Sequence, residues 1–218
     1  MNFTTLLLGC NCPLASELTS IPSNTCPENI GQIQRFFIAR KGNIVWDNAT
    51  PANNLPATIV SQLIEDVAGW NVLFSATDDT KVVKTPLVGG DTSITAGTAL
   101  TQGGGDNATL NGQTQVNGYN PADGTARFDS LSTAQVAAMK DLRCEDVEIY
   151  PVNQDGKVLT RKNGDLITGF PVTNFSLGSK NNLGFGQRDN NVLTFQLDDN
   201  WDEYLYLITP ADFNALTV

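Results

Sequence analysis

The sequence predicts a mainly β fold, an antiparallel β-sandwich or small barrel with two short flanking helices and long projecting loops. Three observations carry that expectation. Glycine is abundant (19 of 218 residues) while charged residues make up only 17%, a balance suited to strands and tight turns. Short apolar runs recur between clusters of Gly, Asn and Asp, the pattern of strands joined by turns. Helical periodicity is confined to two segments. A chain of this length buries roughly 70% of the surface its unfolded form exposes, so it builds a core without disulfide or metal staples. The organisation expected is an irregular arm over residues 1–30 and a single β-rich domain over 31–218, with a long Gly-rich excursion at 86–129.

Taken in order, residues 1–30 are rich in Thr, Ser, Pro, Asn and Cys with no sustained period, which predicts an arm that gains order only by lying on something else. Residues 34–46 place Phe36, Phe37, Ile38 and Ile44, Val45, Trp46 on either side of Lys41-Gly42-Asn43, predicting a strand, a turn and a returning strand. Residues 57–69 carry Ile59, Leu63 and Val67 on one stripe, with Pro56 near the first turn and Gly69 as a stop, predicting a short amphipathic helix. Residues 71–76 and 81–85 read as strands around Thr77-Asp78-Asp79.

The 86–129 excursion holds Gly103-Gly104-Gly105 and an Asn111-Gly112 turn signal between Thr109-Leu110 and residues 114–116. A structureless loop of that length is improbable in a compact domain, so it is either a projecting hairpin or a segment ordered by neighbours. Both an arm for contacts between subunits and an ordinary surface loop fit it. Residues 132–142 predict the second helix, with a capping box from Ser132 and Gln135 and a buried stripe of Val136, Met139 and Leu142. A hairpin follows, 147–152 and 158–160 around Asn153-Gln154-Asp155-Gly156. Residues 170–177, 192–197 and 204–208 complete an antiparallel meander.

The chain has no histidine, which removes the commonest general base, the Ser-His and Cys-His pairs and every His-ligated metal site. Paired carboxylates remain, and Asp198, Asp199, Asp202 and Glu203 are the obvious cluster. They sit together in a polar turn, whereas a catalytic acid needs an apolar pocket that raises its pKa. A calcium loop starting at Asp198 needs Gly at its sixth position and Glu at its last, where this chain has Glu203 and Thr209. Neither a lysine-bearing phosphate loop nor a strand and helix brackets the glycine run, and its charged neighbour is Asp106. The expectation is no enzyme, no cofactor and no metal site. Asn2, Asn48, Asn107 and Asn174 head glycosylation-type triplets, unsurprising in a chain rich in Asn and Thr.

Of the four cysteines, Cys10, Cys12 and Cys26 crowd the amino-terminal arm and Cys144 closes the second helix. Structural zinc is usually built on C-x-x-C pairs with further Cys or His ligands, so free thiols are expected. Leu7-Leu8-Gly9-Cys10 loosely resembles a lipoprotein cleavage box, but the first basic residue is Arg35, and a signal peptide needs a charged start and an apolar core of about seven residues or more. No run approaches the roughly 20 apolar residues of a membrane span. The expectation is a protein without a membrane anchor, made in a reducing compartment. With 23 acidic against 13 basic residues and a formal charge of -10, the surface repels phosphate backbones, so DNA would slide past without binding.

The order of segments carries a resemblance. The Cys- and Pro-rich arm, Gly31-Gln32-Ile33-Gln34-Arg35, Thr85-Pro86-Leu87-Val88-Gly89-Gly90, the Gly103-Gly104-Gly105-Asp106 run, the Asn111-Gly112 turn, the helix before Cys144-Glu145 and the closing 201–213 segment together resemble tail-tube or neck-ring virion structural proteins of tailed phages that infect Bacteroidetes. The likeness is one of overall pattern across nearly the whole chain. It implies a β-sandwich with a flanking helix, projecting loops that reach neighbouring subunits, and a homo-oligomeric ring of six or twelve copies around a channel for DNA. Its partners would be other phage tail, neck or portal proteins, and its place the virion, after synthesis in the host cytoplasm. Catalytic residues are not among what the resemblance implies. The alternatives from other classes are a capsid-decorating or host-binding virion protein, and a carbohydrate-processing enzyme with a deep acidic cleft. The cysteine spacing makes its own prediction: elemental analysis of native protein finds far less than stoichiometric zinc, and a full equivalent per chain would overturn it.

Overall fold

The central strands of this fold are apolar on both faces, and that decides everything packed around them. The computed structural model describes residues 30–90, 92–104 and 114–218. Its chain contacts fall into two units, a larger one from 30–96 and 121–218 and a smaller one that includes 97–120. In the larger unit β1 (Ile33–Arg40), β2 (Trp46–Asp47), β3 (Val83–Lys84) and β4 (Thr92–Thr95) precede the smaller unit, in which β5 (Ala99–Gln102) pairs with β6 (Gln115–Tyr119). The larger unit resumes with β7 (Ala122–Asp129), β8 (Val147–Asn153), β9 (Val158–Asn163), β10 (Leu166–Thr168), β11 (Phe170–Leu177), β12 (Asn190–Leu197) and β13 (Leu205–Ile208). Its two helices are α1 (Val67–Ser75) and α2 (Thr133–Asp141).

The main sheet runs β2-β10-β9-β8-β11-β12-β7-β4, with β1 added to β8, β3 to β1 and β13 to β9. Every pairing is antiparallel. The fold is thus mainly β, and of the two architectures expected it is the sandwich-like one, because the sheet bends without closing into a barrel. β11 makes the bend: Phe170 and Pro171 pair with β8, and Val172 to Leu177 pair with β12. A register shift between Thr173 and Ser176, with Asn174 at φ +52°, gives the strand the local kink a bulge supplies.

One core lies between the two halves of the bent sheet. Phe36 and Ile38 of β1 and Val147 and Ile149 of β8 meet Ala126 and Phe128 of β7 and Leu193, Phe195 and Leu197 of β12. Phe36 and Phe195 touch edge to face, 5.7 Å between centroids, a favoured aromatic arrangement. The alternate residues, Phe37 and Ala39 of β1 with Tyr150 and Val152 of β8, face the other way, as a period of two requires. They form a second core under Trp46, Ile59, Ile64, Trp70 and Leu73. Trp70 is its hub, with ring centroids 5.2 Å from Phe37, 5.4 Å from Trp46 and 5.4 Å from Tyr150. Its indole N–H donates to the Ile64 carbonyl at 2.8 Å, so the ring is buried without losing its hydrogen bond.

This second core explains where the expected elements change. Residues 57–69 do not form the expected helix: a single 3-10 turn at Ala57–Ile59 is followed by irregular chain, and α1 begins at Val67 and runs through 71–75, where a strand was expected. Trp70, Leu73 and Phe74 share one helical face, and burying that face outweighs the apparent alternation of 71–76. Gly69 is no stop signal. A Cβ there would lie 2.7 Å from the Trp46 ring, so its lack of a side chain admits the tryptophan. Similarly, β1 and β2 do not form the expected hairpin; β1 pairs with β8 and β3 while β2 pairs with β10, because Ile44 and Trp46 drop into the second core beyond the Gly42 turn.

Within the 86–129 stretch, β4 and β7 belong to the main sheet. α2 follows expectation, with the Ser132 hydroxyl accepting from the Gln135 N–H at 3.2 Å and the Gln135 side chain accepting from the Ser132 N–H at 2.9 Å. Met139 is buried, and Val136 and Leu142 pack on the first core. The 153–156 turn, β11, β12 and β13 also match. The arm at 1–29, Cys10, Cys12 and Cys26 within it, and the Asn111-Gly112 turn lie outside the described residues.

β7 is tuned to one neighbour. Gly124 pairs with Phe195, and a Cβ at Gly124 would overlap the Phe195 ring, which is locked in the first core. Gly124→Ala is therefore expected to cost about 1–3 kcal/mol through overpacking, lowering Tm by roughly 2–4 °C per kcal/mol in a chain of this size. Thermal denaturation with no shift would refute the packing argument.

Candidate assembly surface

The acids that sequence singles out are solvated. Asp198, Asp199, Asp202 and Glu203 are all exposed; Asp198 sits 3.8 Å from Arg161, and Glu203 accepts from the Asn200 side chain at 3.1 Å. Their backbone is a run of turns in which Trp201, Glu203 and Leu205 N–H groups bond three residues back. The arrangement is a local link between β12 and β13, and no apolar pocket encloses any of the four. Gly103 and Gly104 follow β5 at φ +95° and +91°; Gly105 is outside the described residues. Cys144 is exposed and free. Among the described residues no three His, Cys, Asp or Glu side chains converge, and no helix is long and apolar enough to cross a membrane.

The acid that is buried is one that sequence reading passes over. Glu148 on β8 is 2% exposed, because β8 is enclosed on both faces. Its carboxylate accepts from the Tyr150 hydroxyl at 2.9 Å and from the Gly42 N–H at 3.3 Å. Burial raises its pKa above the ordinary value, and the two hydrogen bonds and Lys41 only partly oppose that. Tyr150 is pushed well up, by burial first and by Glu148 second. The pair ties the Gly42 turn to β8 and faces no cleft. Its alternation with Ile149 on a fully buried strand was the available signal.

What the surface offers is apolar side chains. A groove of about 320 Å³ runs between residues 83–86 and α2. Ile38 and Met139, both buried, form its floor, and Val83, Pro86, Ala138 and Leu142 its walls. At one end it continues into a shallower depression bearing Asp78, Asp79 and Glu145 together with Arg40 and Lys81. Arg40 and Glu145 form a two-pronged ion pair at 3.0 Å. Asp78 accepts from Thr80 through both its N–H and its hydroxyl, which holds its pKa below the usual carboxylate value. At the other end Arg35 donates to the Leu216 carbonyl at 2.8 Å.

The second apolar feature is the β11–β12 loop. Its base is fixed: Gly178 N–H bonds the Val192 carbonyl, Asn181 and Asn190 exchange backbone bonds, and Lys180 Nζ donates to the Leu131 carbonyl at 2.9 Å. The tip, Leu183-Gly184-Phe185-Gly186, turns through two positive-φ glycines and leaves Leu183 45% and Phe185 110% exposed. An aromatic residue flanked by glycines in a polar loop was legible in the sequence, though no periodicity marks it. The smaller unit, taken alone, also presents apolar side chains: Leu100, Val116 and Tyr119 of β5 and β6 are each about half exposed.

Edges of the main sheet are short. β2, β3, β4 and β13 have two to four residues each, and Lys162 lies over the Tyr206 ring of β13 at 4.7 Å. Short edges with charged neighbours resist strand addition, so side-chain contacts are the better-suited means of association. No family model, no curated protein and no solved structure matches the chain.

The Glu148 environment carries a pH test. A carboxyl whose folded pKa exceeds its unfolded one binds protons more tightly in the native state, so its contribution to stability falls as pH rises from about 4.5 through the raised value. Chemical denaturation over that range is expected to show Glu148→Gln gaining on the unsubstituted protein as pH increases. A pH-independent difference would exclude the buried, tightly protonated carboxyl.

Proposed function

We propose that the chain is a non-enzymatic structural subunit that assembles with copies of itself, and that the assembly is a ring or tube in the tail or neck of a tailed-phage particle through which DNA passes. The observation that carries this reading is the set of large apolar side chains left in water by a well-packed fold, chiefly Phe185 with Leu183 and the groove along α2. Exposed apolar groups gathered around a recess mark interaction surfaces. The resemblance in segment order supplies the setting, and the acidic balance suits a conduit. Six copies carry 6 × (-10) = -60 formal charges, a field that keeps phosphate moving instead of binding it. The solvated setting of the Asp198 to Glu203 acids supports a chain without hydrolytic chemistry.

The smaller unit offers a separable test. Thr95 pairs with Asp123, so the ends left by removing residues 97–120 lie side by side in one ladder and a short glycine linker rejoins them. The deleted protein is expected to fold with an unchanged Tm and to lose higher-order assembly by light scattering, while negative-stain images of the intact protein show rings or short tubes. Unchanged assembly would dismiss the smaller unit as a contact. Labelling of virions that places single copies over the capsid surface would favour the decorating role instead.

A further inference from the structure

The β11–β12 loop differs from the rest of the chain in charge as well as in apolar exposure. Residues 178–188 contain Lys180 and Arg188 and no acid, a formal +2, which leaves -10 - 2 = -12 on the remaining residues. A cationic loop on a strongly acidic chain is complementary to the surface of another copy, and is disfavoured only by surfaces of its own sign. An anionic bilayer would attract the loop but repel the other -12 charges. Its base is pinned by Lys180 to Leu131 and by the Asn181–Asn190 pairing, so the tip is presented with little ordering left to lose on contact.

We propose that this loop is a knob which seats Phe185 in the α2 groove of a second copy. The inference rests on the self-assembly reading and names its contact. The groove is apolar, and its volume of about 320 Å³ falls where enclosed binding sites begin, at about 300 Å³. Its open end carries Asp78 and Asp79, neither in an ion pair among the described residues, to face Lys180 and Arg188 of the incoming loop. Knob and groove are built from different residues. Such unlike patches meet head to tail, and successive copies close into a ring or continue as a tube.

Full-length protein, Phe185→Ser and Ala138→Arg are compared by light scattering over a concentration series, then the two variants are mixed. Both positions are exposed, and circular dichroism checks that both variants fold. Each variant alone is expected to associate about 10- to 100-fold more weakly, the scale of one buried aromatic side chain. Their mixture restores one intact contact, Phe185 of the Ala138→Arg chain in the groove of the Phe185→Ser chain, and so yields mixed dimers that grow no further. Assembly of Phe185→Ser equal to that of the unsubstituted protein overturns the knob while leaving self-assembly standing. Two weak variants whose mixture forms no dimer overturn the pairing of this loop with this groove. An unsubstituted protein that stays monomeric at every concentration overturns the self-assembly reading and the knob with it, and Phe185-dependent sedimentation of that monomer with anionic vesicles assigns the loop to lipid.

Discussion

Two strands with no polar face set the terms for the whole molecule. β1 and β8 lie side by side with seven residues in register, and every residue of β8 is buried. Strands of that kind cannot border water, so each face needs its own cover, and the two covers come from distant parts of the sequence. The bent continuation of the sheet through β11, β12 and β7 covers one face. Residues 44–82 cover the other, drawn in by Trp70 against Phe37, Trp46 and Tyr150.

Covering a sheet with irregular chain is costly unless the loop satisfies its own polar groups. Asp47 and Asn54 do this for residues 47–64. The buried Asp47 carboxylate accepts from the Ala49 and Thr50 N–H groups at 3.0 and 2.8 Å. Asn54 donates to the Ile59 and Gln62 carbonyls at 3.2 and 2.8 Å. Asn48 accepts from the Ile64 N–H, and Asp212 from the closing segment accepts from the first N–H of α1. A few carboxylates and amides thus substitute for a regular element, letting a loop carry Trp46, Ile59 and Ile64 into the core.

The same economy leaves the outer surface free to carry function. Because the interior is complete within the larger unit, the apolar groups still exposed, Phe185 above all, are not remnants of a poor core. They stand on a pinned loop and along a capped helix. The chain's negative charge holds copies apart except where a cationic segment and a recess allow approach, which makes association selective in position as well as favourable.

Much of this was legible in sequence. The β class, the capping box at Ser132 and Gln135, the Asn153 to Gly156 turn and the carboxyl-terminal strands follow from propensity and period, because local chemistry alone determines them. The solvated character of Asp198 to Glu203 was also readable, since a polar turn with no apolar neighbours has no means of burying an acid. Tertiary structure decided the rest. Residues 71–75 became helix because Trp70, Leu73 and Phe74 needed one shared face for the second core, a demand that comes from β1 and β8 far away in sequence. β7 was hidden by Gly124, whose missing side chain makes sense only with the Phe195 ring across the ladder. Glu148 became a buried acid because its strand has a neighbour on each side and a layer over each face. Phe185 acquired its meaning by the same route: sequence places an aromatic between glycines, but only the packed fold reveals that it has no pocket of its own to enter.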